Sequence, residues 1–405
     1  MCVLIASHEG VESGLRALSE GGQGRGSRMA RMALAQLRLH GALGVAVPGS
    51  APPSHTDVSD TDRQTVRDLA IDVATHAITP TSIIPSSTYR AIAALLHSPS
   101  DDDIRLACQT MANITSASDV NRESFMHLDG VLARMSDLLE SAAEGVRESA
   151  ALFVGTFTAG SVRLTRAVVL HGVVPKLVVM LDSDVGDEAQ HAAMALAHIG
   201  IDLESERDTM EQAGGLQKLL RVMRSDNATQ AAKGMATRTL GVLMQHNERR
   251  LQAGLDAGVI SVLAGMLSSP DASMAGHAAR GVGMLAQQSD ALKDELVKAG
   301  VVNPLAVLLG HGHMAVAEAA AAVLGALMNG GRDMCVRIAS HEGVESRLRA
   351  LSEAGQGRGS RMARMALAQL RLHGALGVGV DGVGATVKQS FQPSPIVSRE
   401  PQTIV

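Results

Sequence analysis

The sequence predicts an all-α solenoid, and three observations carry that expectation. Hydrophobic residues make up 46% of the 405 residues but aromatics only 1%, with no Trp, one Tyr and four Phe. An interior of Ala, Leu, Val and Met suits closely packed helices, whereas sandwiches and barrels draw on aromatic strand formers. Second, a glycine-led segment recurs at Gly130, Gly172, Gly214, Gly258, Gly300 and Gly343, with separations of 42, 42, 44, 42 and 43 residues. Third, five positions after each glycine stands Met135, Leu177, Leu219, Leu263, Leu305 or Leu348. A fixed period with fixed apolar offsets marks a helical unit that cannot bury its apolar face alone and must stack on its neighbours.

Taken in order, the chain opens with a near-copy of a later segment: residues 1–47 match 334–380 at 43 of 47 positions. The exceptions are Leu4/Arg337, Gly14/Arg347, Gly21/Ala354 and Ala46/Gly379. This segment is expected to be a detached repeat that docks weakly. Residues 48–62 concentrate Pro, Ser, Thr and Asp and read as a disordered linker. Residues 63–120 form a degenerate first region, with a helix over Arg63 to Thr79 that Pro80 to Ser87 breaks. A unit lacking its glycine follows over Tyr89 to Ala117. Residues 121–377 hold the regular array. Each unit there reads as a short helix before the glycine, a second helix after it, a polar turn and a longer Ala-rich third helix. In one unit these are Arg249 to Ala257, Val259 to Leu267, the turn Ser268 to Ala272, and Ser273 to Gln287. The glycine supplies the positive φ of a helix C′ position, and Pro175 fits the opening turn of a helix, where its missing N–H costs nothing. Residues 378–405 lack helical periodicity and are expected to be disordered.

Ala213-Gly214-Gly215-Leu216-Gln217-Lys218-Leu219 resembles the armadillo consensus between its first and second helices, Ala-Gly-Gly-Ile-Pro-x-Leu. HEAT repeats, the nearest rival, lack this glycine. The resemblance covers Arg122 to Leu376 and implies a right-handed armadillo-type α-solenoid of three-helix repeats. It also implies a non-enzymatic scaffold or adaptor whose third helices line a peptide-binding groove. One Asn per repeat typically contacts the peptide backbone there. Asn113 matches that position, but its counterparts include Gly155, His198, Val242 and Gln369, so the asparagine ladder is mostly lost. Importin-alpha proteins pair that Asn with Trp, and the absence of Trp disfavours nuclear import. Importin-like transport and the substrate-binding part of a ubiquitin ligase stay as alternatives.

Positions four and eight before the ladder share its helix face. They place Arg105, Gln109, Arg147, Arg238, Arg280 and Arg361 beside Asn113, His198 and Gln369 as candidate groove residues, five arginines against the single acid Glu318. A basic inner surface would favour acidic or phosphorylated segments.

The whole chain carries net charge −5 with interspersed signs, so nucleic acid is not an expected partner. Three scattered cysteines give no disulfide framework or zinc site, and a cytoplasmic location, with the nucleus as a second compartment, is expected. The first residues lack a signal peptide's apolar run, and no stretch of 18 apolar residues predicts membrane insertion. Gly355 to Ser360 and its earlier twin lack the strand and Lys-Ser/Thr of a phosphate loop, and His311-Gly312-His313 has no third metal ligand. Neither a catalytic motif nor a cofactor site is read. Thr403, Ile404 and Val405 have the form of a PDZ ligand.

Overall fold

In a computed structural model the described residues are 58–74, 84–183 and 187–376. They hold helices and turns with no strand among them. The detached copy over residues 1–47 and the tail over residues 378–405 lie outside the described residues, as does all of the linker before residue 58. The chain divides into two compact units, one up to Met244 and one from Gln245.

The first unit contains α1 (Asp60–Ala74), α2 (Ser86–Leu96), α3 (Asp101–Ala117), α4 (Asp119–Phe125), α5 (Val131–Leu138), α6 (Glu144–Thr158), α7 (Val162–Val169), α8 (Val173–Met180), α9 (Glu188–Asp202), α10 (Glu204–Gln212), α11 (Gly215–Arg224) and α12 (Gln230–Met244). α1 begins three residues before the expected Arg63. Ser59 accepts from the Asp62 amide at 3.1 Å and donates to the Asp62 carboxylate at 2.7 Å, a cap that starts the helix inside the expected linker.

The second unit contains α13 (Glu248–Asp256), α14 (Val259–Leu267), α15 (Ala272–Ala286), α16 (Asp290–Lys298), α17 (Val302–Leu308), α18 (Met314–Met328), α19 (Arg332–Ala339), α20 (Val344–Glu353) and α21 (Arg358–Leu372). The three helices expected between Arg249 and Gln287 are α13, α14 and α15, each within one residue of its expected bounds.

All six recurring glycines have positive φ, from +70° at Gly172 to +81° at Gly300. Each sits where the first helix of a repeat stops and the second begins, so the period read in the sequence is a period of left-handed corners. Long third helices then pack side by side: α3, α6, α9 and α12 in the first unit, and α15, α18 and α21 in the second. Small residues permit the close approach. A Cβ on Gly155 of α6 would lie 3.5 Å from the Ala195 backbone of α9, and one on Gly283 would lie 3.1 Å from Val323.

The core is aliphatic except at one place. Tyr89, Phe125, Phe153 and Phe157 form a chain of ring contacts with centroid spacings of 5.1, 5.9 and 5.2 Å. Tyr89 donates its hydroxyl to Asn121 Oδ1 at 3.0 Å, and the Ile84 amide donates to the same oxygen at 3.3 Å. Burial pushes the Tyr89 phenol well above its ordinary value.

Candidate functional site

In the first unit the exposed edge of the third helices begins on α3. Arg105, Gln109 and Asn113, spaced by four, are all exposed on one face of this helix. Arg105 pairs with Asp102 at 2.9 Å in its own helix.

Arg147 does not join that edge. Its guanidinium is turned onto α9, with Nε 2.7 Å from Glu188 Oε1 and Nη2 3.1 Å from Glu188 Oε2. A third N–H donates to the Ser141 carbonyl at 2.8 Å, and Ser183 Oγ donates to Glu188 at 2.9 Å. Arg147 is therefore a clamp between repeats. The expectation of a ligand-facing arginine here is corrected by the carboxylate that already occupies its fork.

The same clamp recurs two repeats earlier. Arg63 Nε lies 2.9 Å from Asp103 Oδ2, which also accepts from Ser98 Oγ at 2.8 Å. Between the two, Gly145 stands where the acid would be, and the Arg105 Cδ lies 3.3 Å from the position of its missing Cβ. Residue type at one position of the third helix thus decides whether its arginine faces a neighbour or water.

His198 is half-buried, its Nδ1 2.9 Å from the Gly155 carbonyl, and burial holds its pKa below the ordinary value. Arg238 is exposed on α12. Glu148 and His191 also border this edge and were not singled out by the one-in-four spacing. On α6 Glu148 and Thr156, one residue on from Arg147 and Gly155, are half-buried. Burial and then the neighbouring Asp187, Glu188 and Glu144 raise the Glu148 pKa, and burial lowers that of His191. Their closest approach is 3.9 Å.

In the second unit Arg280 and Arg361 are exposed on α15 and α21, and Arg280 Nη2 lies 3.4 Å from His277 Nδ1. No described carboxylate forms an ion pair with Arg361, whereas Arg358 in the preceding turn is 2.9 Å from Glu318. Gln369 is buried in the α21 packing face, contrary to its expected place in a groove, because its helix turns that position toward its neighbours.

A cleft between α8 and the turn that follows α5 is lined in part by Leu139, Pro175, Val179 and Met180. Its charges are compensated: Lys176 lies 2.9 Å from Glu140, and Arg147 holds Glu188. Among the described residues no group of His, Cys, Asp and Glu is arranged to hold a metal ion. His311 and His313 stack at 5.4 Å within a turn. Burial pushes the Cys108 thiol up to about 12 and the Cys335 thiol up to about 11, which makes both poor nucleophiles. No single helix among the described residues is long and apolar enough to cross a membrane. Thr403, Ile404 and Val405 lie outside the described residues.

Comparisons with known proteins agree with this architecture. A sequence model of the armadillo/beta-catenin-like repeat matches residues 289–327. No curated protein matches the chain. An engineered protein of known crystal structure is similar over 91% of this chain and 87% of its own, with 24% identity and a TM-score of 0.65. A second engineered protein covers 60% of this chain and 98% of its own, at 24% identity and a TM-score of 0.55. A designed armadillo repeat protein in complex with the peptide (KR)4 is 22% identical over 58% of this chain and 98% of its own, with a TM-score of 0.51.

Proposed function

We propose that this chain, which has the armadillo-repeat fold and matches the armadillo/beta-catenin-like repeat over residues 289–327, is a non-enzymatic scaffold that binds extended protein segments along its third helices. The observation that carries this reading is the exposed row Arg105, Gln109 and Asn113 on α3, in which Asn113 stands at the repeat position of a backbone-contacting asparagine and Gln109 adds a second amide one turn earlier. Extended ligands expose peptide N–H and C=O groups, and a side-chain amide can donate to one and accept from the other.

The finer reading is a preference for acidic segments, and it rests on the second unit. There Arg280 and Arg361 are exposed, whereas Arg147 in the first unit is already satisfied by Glu188. Arginine forks match carboxylate and phosphate geometry, so an acidic side chain gains a bidentate partner that a basic one does not. A cytoplasmic location belongs to the same reading, and the free thiols of Cys108 and Cys335 are in keeping with it.

Calorimetric titration of the full chain with a glutamate-rich peptide and with a Lys/Arg-rich peptide tests the proposal. Preferential binding of the first, weakened about tenfold or more by Arg280→Glu, is the expected result. Preferential binding of the basic peptide would replace the acidic reading with the import-type alternative.

A further inference from the structure

The outer side of α21 carries chemistry that the groove does not use. α6 and α21 are both 15-residue helices with Arg at their fourth position, Arg147 and Arg361. α6 has a third helix packed on each side, α3 and α9, whereas α21 packs on α18 alone among its kind. Aligned from their first residues, the buried Ala150, Ala151, Val154, Phe157 and Thr158 of α6 correspond to Arg364, Met365, Ala368, Arg371 and Leu372 of α21. Arg364 and Arg371 are exposed, Met365 and Ala368 are half-buried, and Leu372 keeps 50% of its surface in solvent.

A terminal repeat needs a polar outer face to stay soluble, and mixed charge would supply that. Here every charged residue of the helix is Arg: Arg358, Arg361, Arg364 and Arg371, with no acid and no Lys. Arg361 near the helix start also opposes the helix dipole, a placement that helix stability does not favour. Among the described residues only Arg358 of these four has a carboxylate partner, and Arg364 donates to the Ser352 carbonyl at 3.1 Å. Arginines bordering an apolar seam of Met365, Ala368 and Leu372 match a ligand that brings both carboxylates and apolar surface.

We propose that this outer face of α21 is a docking surface for an acidic amphipathic helix of a partner protein, which continues the stack where the described repeats stop. Arg361 would grip a carboxylate in the first turn of that helix as Arg147 grips Glu188. The seam distinguishes this occupant from a nucleic acid, whose surface offers phosphate without an apolar stripe, and the vesicle arm of the test distinguishes it from an anionic membrane. Arg361 is shared with the groove reading, but Arg364 and Arg371, which the test replaces, lie outside the proposed groove residues, so the two readings are tested apart.

The test uses the full chain and a labelled peptide whose leucine stripe is bordered by glutamates, followed by fluorescence anisotropy. Arg364→Glu/Arg371→Glu should weaken binding at least about tenfold, with Arg364→Gln/Arg371→Gln intermediate and Arg280→Glu without effect. Unchanged circular dichroism melts will show that the exposed substitutions leave the fold intact. Binding that survives both double substitutions overturns the proposal. So does binding of heparin or phosphatidylserine vesicles that is tighter than the peptide's and lost with the same substitutions. Failure at Arg280 alone bears only on the groove.

Discussion

Arg147 and Glu188 face each other across a repeat boundary through two parallel hydrogen bonds of 2.7 and 3.1 Å, and the Glu188 side chain is only 3% exposed. Removing the arginine strands a buried carboxylate. Arg147→Met is therefore expected to destabilise the first unit by about 3–5 kcal/mol, the cost of breaking one side of a buried pair. Arg147→Met/Glu188→Leu should recover most of that loss, because no uncompensated charge remains. Urea melts of the two variants beside the parent will check both expectations. A double variant no more stable than the single one would show that the pair itself, and not the orphaned charge, sets the energy.

The left-handed corners make a separate prediction. Nothing lies within 4 Å of a Cβ added at Gly172, yet its φ is +70°, so the penalty of Gly172→Ala comes from the backbone alone. It should cost roughly 1–2 kcal/mol. Gly265 sits within α14, also with nothing within 4 Å, and has ordinary helical backbone. Gly265→Ala should stabilise the protein by about 0.5–1 kcal/mol. Opposite shifts in melting temperature for these two chemically identical substitutions are the expected outcome.

The repeat was legible because its signals are local. Gly214, Gly258 and Gly300 stand at corners whose positive φ only glycine adopts readily, and Leu219, Leu263 and Leu305 fill the core five residues later. The candidate groove was less legible because a helix face is defined by its neighbours. Whether Arg147 points outward depends on Glu188, 41 residues away, and Gly145 shows that one residue changes the answer for Arg105. Gln369 and Asn113 share a repeat position but not a surroundings, so one is buried and the other exposed. Spacing of four residues gives a stripe, and packing decides which edge of that stripe meets water.

The aromatic chain concentrates stability near the start of the first unit. Phe125, Phe153 and Phe157 are fully buried; Phe125 and Phe153 link α4 to α6 with centroids 5.9 Å apart, and Phe157 lies 5.2 Å from Phe153 within α6. Beyond these rings and Tyr89 the core of the described residues is aliphatic. Phe153→Ala should cost about 3–5 kcal/mol, and Phe153→Leu markedly less, because the leucine refills part of the cavity. Hydrogen exchange would localise the loss: amides of α3, α4 and α6 should lose protection while those of the second unit keep theirs.

Acid should act on the first unit through its half-buried histidines. Burial lowers the pKa of both His191 and His198, and His198 also receives opposing effects from the Gly155 carbonyl and Arg238. Their folded values lie below the unfolded value of about 6.5, so as pH falls through that region the unfolded chain takes up protons first and stability drops. Glu148 and Asp202 have the opposite sign. Burial raises their folded pKa, so their ionised forms carry a cost at neutral pH that protonation relieves as pH falls toward the carboxylate range. The parent should therefore lose stability between about pH 7 and 5.5, with the loss tapering at lower pH where the carboxylates contribute. His191→Gln/His198→Gln removes only the first effect. Urea midpoints of this variant should be nearly flat over that upper interval, and an undiminished fall would assign the acid sensitivity to other groups.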